Sequence, residues 1–310
     1  MNAPDKKFRL VNTEIRLEPT NVCNALCIMC PREKMKRPRG VMDMGLYRSI
    51  IDQAVEAGAD IVSIENFGES FCDPHIFERA AYARSKGLKT MTVSNASLLD
   101  EERCRRVVEL FDTIRLSVYA VTKETYEKIH RRLDFRQVEA NVTRLFKARE
   151  KAPSSRLKIE MYYLLMKENE GELKAWLEKY EKMANAVAVW KPHNWSDGRG
   201  YRPLKGKKVS CRRPFTGPLQ VQWDGLVVPC CFDYDSRAVL GDLNKETLRE
   251  VFGGTGYDEL RKAHGAGDFS KFPFCDGCDQ LNKREDVLVY TTIKNARVGA
   301  TNTTYFELQK

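Results

Sequence analysis

The chain has 310 residues, 42% hydrophobic and 31% charged, with a formal net charge of +9 and ten cysteines. These are globular values; no apolar run approaches the ~20 residues a membrane helix needs, and residues 1–7 lack the apolar stretch of a signal peptide. A soluble, cytoplasmic protein with no membrane partner is expected, long enough for one large or two unequal domains. Basic residues are spread through most segments, so solvated helix faces account for most of the charge. The run at 32–39 is a local concentration that could meet an anionic partner. With no recognised nucleic-acid motif beside it, a nucleic-acid partner is not expected.

Residues 13–17 read as a strand, and directly after it Cys23, Cys27 and Cys30 form a C-x3-C-x2-C run. Thiolates so close in sequence can converge on one metal centre, and such loops hold iron–sulfur clusters. A cubane has four irons, so three cysteines leave one iron open to an outside ligand. Zinc prefers four protein ligands, and the nearest histidine, His75, lies far along the chain. The cluster is the better reading.

Beyond the loop, helical and strand patterns alternate. Leu46, Ile50, Ile51, Ala54 and Val55 recur at helical spacing and Gly58 stops that helix. Residues 61–64 form a short strand. The next helix is expected to take Asp73 as its cap and Pro74 in its first turn, and to run to Gly87. Strands follow at 88–94, 113–118, 157–165 and 186–190, with helices at 100–110, 123–130, 135–150 and about 171–183. Six strands alternating with helices predict a parallel α/β architecture; pattern alone does not separate an open sheet from a barrel. Along the fourth strand, period-two alternation puts Arg115, Ser117 and Tyr119 on one face and Ile114, Leu116 and Val118 on the other. Cys72 and Cys104 are lone thiols that read as small buried hydrophobes.

From 191 to 210 glycine, proline and polar residues mark a linker. Trp190, His193, Asn194, Trp195 and Arg202 could line a pocket for a polar, hydroxylated ligand or staple two domains together. Residues 220–228 read as a hairpin turning at Asp224-Gly225. Cys211 precedes it, Cys230 ends it, residues 239–252 give a turn and a helix, and Cys275 and Cys278 close the set. Four thiolates complete a site for zinc or for a four-cysteine cluster, and spacing does not choose between them. Cys231 is left over.

The three-cysteine loop with the following Pro31-Arg32 resembles the signature of the radical S-adenosylmethionine (radical SAM) superfamily. The resemblance implies that the open iron chelates the methionine moiety of SAM. It also implies a partial (β/α)6 TIM-like barrel with functional groups at the C-terminal ends of strands. Residues 65–70 are similar to the Gly-Gly-Glu-Pro motif of that family: Gly68 and Glu69 match, while Phe67 and Ser70 depart. The match implies that this segment binds the methionine amino group. By the same resemblance Ser94 and Asn95 meet the ribose, Ser117 lies near the cofactor and Met29 contacts the adenine. Arg115, Tyr119, Tyr162 and His193 are candidate substrate residues.

The second set, with its hairpin, Gly241-Asp242-Leu243, leucine-rich helix and closing Cys-x-x-Cys, resembles the SPASM and twitch domains of radical SAM enzymes. No cysteine follows Cys278. That matches the shorter twitch type, a small α+β domain with one auxiliary [4Fe–4S] cluster on Cys211, Cys230, Cys275 and Cys278. The expected organisation is a core at 1–190, a linker at 191–210, and an auxiliary-cluster domain with its tail at 211–310.

The activity implied is reductive cleavage of SAM to a 5′-deoxyadenosyl radical by an electron from an external flavodoxin- or ferredoxin-type reductant. Hydrogen abstraction from a small hydroxylated substrate, a sugar or aminocyclitol, then gives dehydrogenation of an alcohol. One alternative is epimerisation with Cys231 as hydrogen donor; another is peptide modification. No stretch at either end reads as a leader-peptide-binding domain, which favours the small substrate. A non-enzyme alternative, a zinc-holding RNA-binding protein, leaves the Gly68-Glu69, Ser94-Asn95 and Ser117 series without a purpose.

Overall fold

In residues 14–17 and 113–117 apolar side chains alternate with polar ones, and that division places the core. The computed structural model describes residues 8–197, 199, 208–281 and 287–293. Six strands, β1 (Glu14–Leu17), β3 (Ile61–Ile64), β4 (Lys89–Ser94), β5 (Thr113–Ser117), β7 (Lys158–Leu164) and β8 (Ala186–Trp190), lie side by side in that order, all parallel. Two-residue strands β2 (Leu26–Cys27) and β6 (His130–Arg131) pair with each other apart from this sheet. The crossovers carry helices α1 (Met44–Glu56), α2 (Ile76–Ser85), α3 (Glu101–Leu110), α4 (Lys123–Ile129), α5 (Phe135–Glu150) and α6 (Leu173–Tyr180). Ile15, Leu17, Val62, Ile64, Ile114 and Leu116 belong to one buried core with the helices' apolar faces. Each such side chain contributes roughly 1.5–3 kcal/mol by leaving water. The opposite strand face, turned away from the helices, holds Glu14, Arg16, Ser63, Arg115 and Glu160, all buried.

Four of the six crossover helices start on a side-chain cap. Asp43, Asp100 and Asp134 accept the amides of Leu46, Arg103 and Gln137 at 2.8–2.9 Å, each cap contributing about 1 kcal/mol. The helix after Asp73 departs from expectation. It begins at Ile76 with His75 in the cap position, and no side chain caps it. Asp73 instead accepts from the amide of His75 at 3.0 Å and from Arg79 Nε at 2.7 Å, both carboxylate and guanidinium being fully buried. Leaving Arg79 buried without a partner costs about 3–5 kcal/mol, more than the ~1 kcal/mol of a cap, so the ion pair takes the aspartate.

The second half extends the same sheet. Strand β9 (Leu219–Val221) pairs in parallel with the free edge of β1, β10 (Leu226–Val228) folds back antiparallel, and β11 (Gly241–Asp242) follows. The β9–β10 turn is the expected Asp224-Gly225, where Gly225 takes φ +88°, the left-handed region that favours glycine. Helices α7 (Arg213–Thr216), α8 (Leu248–Gly253), α9 (Thr255–Ala266) and α10 (Pro273–Asp276) complete this half, α9 packing on α7 and α8, and α8 on α1. At the other edge β12 (Leu288–Thr291) lies antiparallel on β8. The ten-stranded sheet, six of its strands wound as parallel β/α units, is a partial TIM-like barrel with a C-terminal cysteine-bearing extension. Arg202 and the chain beyond Ile293 lie outside the described residues. Among the described residues no helix is long and apolar enough to cross a membrane.

Candidate active site

The cysteine loop leaves the C-terminal end of β1 and is fixed from several sides. Glu18, fully buried, forms a two-pronged ion pair with Arg37 at 2.5 and 2.6 Å, and also accepts the amide of Trp223 at 3.2 Å. Asn21 ties the chain to Gly40 N and Pro38 O. Inside the loop Arg32 donates to the carbonyls of Cys23 and Ala25 at 2.9 and 3.3 Å. From the linker, Trp195 Nε1 and Arg199 Nη1 donate to the carbonyl of Met29 at 2.8 and 2.7 Å. Cys27 Sγ lies 3.2 Å from His130 Nδ1 across the β2–β6 pair.

All ten cysteines are free thiols. Burial pushes the Cys23 thiol up, Cys27 well up, and Cys30 to about 11, with Arg32 opposing the rise. Ionising three such thiols together needs a nearby positive charge of the kind a metal centre supplies, which deprotonates its thiolate ligands. The donor set therefore fits an iron–sulfur cluster. Among the described residues no three His, Cys, Asp or Glu side chains form a cage for a single metal ion.

Strand ends complete the wall. Glu69 accepts Ser94 Oγ at 2.7 Å and the amide of Asn95 at 2.8 Å, bridging the ends of β3 and β4. Asn95 in turn donates to Asn24 of the cysteine loop at 3.0 Å. The backbone at Gly68 passes so close to the loop that an added Cβ would stand 2.1 Å from Thr20 O and 2.8 Å from Val22 O. Only glycine fits there, which gives the motif's glycine a steric cause. Phe67, where the family motif has glycine, packs against Trp195 and Tyr234.

These elements enclose a cavity of about 450 Å³. Cys23, Cys27, Met29 and Cys30 line one end; Gly68, Glu69, Ser94, Asn95 and Ser117 line the strand-end wall. Arg115, Tyr119, Tyr162 and His193 line it as well. Arg115 is held by Glu160 at 2.9 Å and lies 5.2 Å from the Tyr162 ring centroid, while its buried Nη2 has no hydrogen-bond partner. Tyr119, raised to about 12 by burial, bonds to Ser117 and sits 4.8 Å from His130. His193 is sandwiched between Trp195 at 4.0 Å and Phe232 at 3.6 Å.

The second cysteine set lines a separate, smaller cavity that Cys211, Cys230, Cys275 and Cys278 reach together with His264 and Arg213. Burial raises Cys230 well above its ordinary value and Cys278 to about 12. This set, like the first, asks for a metal centre to hold its thiolates. Its neighbour Cys231 turns the other way and lines the large cavity, with Arg213 Nη1 3.4 Å from its sulfur. Arg213 and Phe232 border both cavities.

Several cavity residues escaped the sequence reading. Arg16 pairs with Glu14 at 2.7 Å and approaches Glu65 at 3.9 Å. Glu65 and Asn66 line the cavity, and the amide nitrogen of Asn66 has no hydrogen-bond partner. Glu14 and Arg16 carry the same period-two signal as Arg115 and Ser117, so alternation in β1 could have found them. His130 left no local signal, since only the β2–β6 pairing brings it to Cys27.

A family model described as the radical SAM superfamily matches residues 17–179, and one described as an iron–sulfur cluster-binding domain, SPASM, matches 211–279. Among solved structures, BtrN in complex with AdoMet and 2-DOIA is 17% identical with a TM-score of 0.59, covering 91% of this chain and all of that one. AnSMEcpe with bound AdoMet gives 16% and 0.64 over 89% and 92%. Streptococcus suis SuiB bound to the precursor peptide SuiA gives 15% and 0.61 over 89% and 70%. A UPF0026 protein of Helicobacter pylori is 29% identical over 115 residues; the match covers 34% of this chain, and the chain spans only 37% of that relative. At these identities the solved structures speak for the fold alone. The family's cofactors are SAM and a [4Fe–4S] cluster, and a SPASM domain adds iron–sulfur of its own. With more than half of its length matched, the chain belongs to the radical SAM superfamily and carries a SPASM domain.

Proposed function

We propose that the protein is a radical SAM oxidoreductase that dehydrogenates an alcohol on a small hydroxylated substrate, a sugar or an aminocyclitol. The observation that carries this reading is the single cavity running from the three-cysteine loop to the wall formed by Phe232 and Cys231. In this reading Cys23, Cys27 and Cys30 hold the SAM-binding cluster, and Cys211, Cys230, Cys275 and Cys278 the auxiliary one. The core is 1–190, the linker 191–210 and the auxiliary domain 211–310. Reductive cleavage of SAM supplies the hydrogen-abstracting 5′-deoxyadenosyl radical.

The chain's own residues bind, orient and exclude water. The backbone at Gly68 and the Glu69–Ser94–Asn95 network would hold the methionine and ribose ends of SAM, and Ser117 and Met29 would lie toward its adenosine. Unpaired buried donors are costly unless a ligand takes them up. Asn66 Nδ2 and Arg115 Nη2 are two such donors on the cavity wall, and substrate hydroxyl oxygens are suitable acceptors. Tyr119, Tyr162 and His193 shape the remaining wall. Glu65, its carboxyl pushed up by burial and only loosely approached by Arg16, is placed to take the hydroxyl proton as the carbonyl forms. The four-cysteine cavity behind Phe232 is placed to house the acceptor of the second electron.

Epimerisation is a second reading, favoured by Cys231 facing the large cavity while Cys230 faces the small one. Anaerobically reconstituted protein incubated with SAM and a panel of sugars and aminocyclitols tests both. Formation of 5′-deoxyadenosine with a ketone product supports dehydrogenation. One solvent deuterium at an inverted carbon, lost in Cys231→Ser with iron content unchanged, supports epimerisation instead. BtrN, solved with AdoMet and 2-DOIA, is the reason to include 2-DOIA in the panel. SuiB, solved with a precursor peptide, is the reason to include peptides in the panel. Turnover of a peptide alone overturns both readings.

A further inference from the structure

We infer that the outer face of the three-cysteine loop is the docking surface for an acidic one-electron carrier protein. The inference rests on Cys23, Cys27 and Cys30 holding a reducible cluster. Two segments meet on that face, 31–39 and 128–132, joined by the Arg131–Glu33 ion pair at 2.7 Å, while the β2–β6 ladder ties 130–131 to Leu26–Cys27 of the cysteine loop. Together they carry eight basic residues and one acidic residue, Glu33. Arg32 and Arg37 are spent on Cys23 O and Glu18. Lys34, Lys36, Arg39, Lys128, Arg131 and Arg132 are exposed. Three carboxylates offset part of this charge: Glu33 faces Arg131, Asp197 faces Lys34 at 3.4 Å, and Asp235 accepts the amides of Lys36 and Arg37 at 2.7 and 2.9 Å. The face keeps a surplus of positive charge.

The same face offers a short route inward. Cys27 pairs with His130 across the ladder, its sulfur 3.2 Å from the imidazole, and Tyr126 stacks on that ring at 4.6 Å. The next residue, Arg131, is at the surface and donates to the carbonyl of Leu26, the neighbour of Cys27, at 2.9 Å. Electron tunnelling weakens steeply with distance, so a carrier seated on Arg131 is one residue from a cluster ligand. Arg131 is not among the residues that line the large cavity, so entry here does not pass through it. Complementary charge raises the encounter rate. In each encounter the carrier is oxidised by one electron and the cluster reduced by one, with no atom or proton transferred.

The test uses anaerobically reconstituted holoprotein and photoreduced flavodoxin of net negative charge, with cluster reduction followed by stopped-flow absorbance. Dithionite, a small reductant that needs no docked complex, is the parallel donor. The triple variant Lys34→Glu/Lys36→Glu/Arg132→Glu should lower the flavodoxin rate constant about tenfold or more, within the range electrostatic steering spans. Its iron content and its reduction by dithionite should match the wild type. Lys34→Arg/Lys36→Arg/Arg132→Lys should keep the wild-type rate. At about 1 M salt, where the Debye length is ~3 Å, the wild-type advantage should disappear. Equal flavodoxin rates for wild type and charge-reversed protein overturn the proposal, as does a patch whose variants lose RNA binding but not reduction rate. A holoprotein with no dithionite-reducible cluster removes the three-cysteine reading itself, and the docking surface with it.

Discussion

Glu65 is held in the cavity at an energetic disadvantage: burial raises its carboxyl above the ordinary value, more than the arginines Arg16 and Arg115 lower it. A carboxyl that keeps its proton to higher pH when folded loses stability as pH rises from the unfolded value through the folded one. Glu65→Gln should therefore melt like the wild type near pH 4 and above it at pH 7, read by thermal denaturation across that range. The buried pair Arg115–Glu160 behaves differently, since the contact of Arg115 Nε with the Glu160 carboxylate at 2.9 Å sets one buried charge against the other. Arg115→Met strands Glu160 and should cost about 3–5 kcal/mol in urea unfolding. The double variant Arg115→Met/Glu160→Gln should recover most of that loss. At this scale the sequence was partly legible. Arg115, Ser117 and Tyr119 announced themselves by alternating with apolar neighbours, whereas Asn66 and Glu65 were passed over because the adjoining Gly68-Glu69 motif drew the reading past them.

Elements hold the site through a few tight crossings. The segment after β3 presses on the cysteine loop so closely that Gly68→Ala drives a methyl into the backbone at Thr20. Overpacking of this kind costs roughly 1–3 kcal/mol, and here the atoms that must give way belong to the loop bearing Cys23. The expected outcome is a lower melting temperature together with reduced iron retention after gel filtration. The parallel strands and their helices were legible because each keeps its own period along a continuous stretch. The start of α2 was misread because Asp73, a capping residue by type, is claimed by a buried arginine six residues on. The short β2–β6 pair gave no warning at all. Two residues carry no period, and their register is set by tertiary contact.

For the whole molecule, the sheet does not stop where the linker begins. Strand β9 gives β1 its second parallel neighbour, with Ile15 opposite Leu219 and Leu17 opposite Val221. A chain ending before residue 208 should expose that edge and a row of unpaired backbone groups, and should aggregate rather than yield a monomeric core. Size-exclusion chromatography of the truncated chain beside the full one reads this directly. A soluble, monomeric fragment of 1–207 would show instead that the core stands alone.

The β1–β9 pairing also dictates an order of assembly. β1 precedes β9 by about 200 residues, so it keeps one edge unpartnered until that length has left the ribosome, a closure that is entropically late as well as late in synthesis. The cysteine loop hangs from that strand end. Trp195, Arg199 and Trp223, which lie against the loop or its base, are likewise among the last parts of the barrel mouth to be made. During synthesis there is thus an interval in which the three thiols are exposed beside an unfinished sheet. With Cys23, Cys27 and Cys30 as the proposed cluster ligands, iron delivery to that loop and protection of that edge from aggregation become one problem for the cell, to be solved during synthesis.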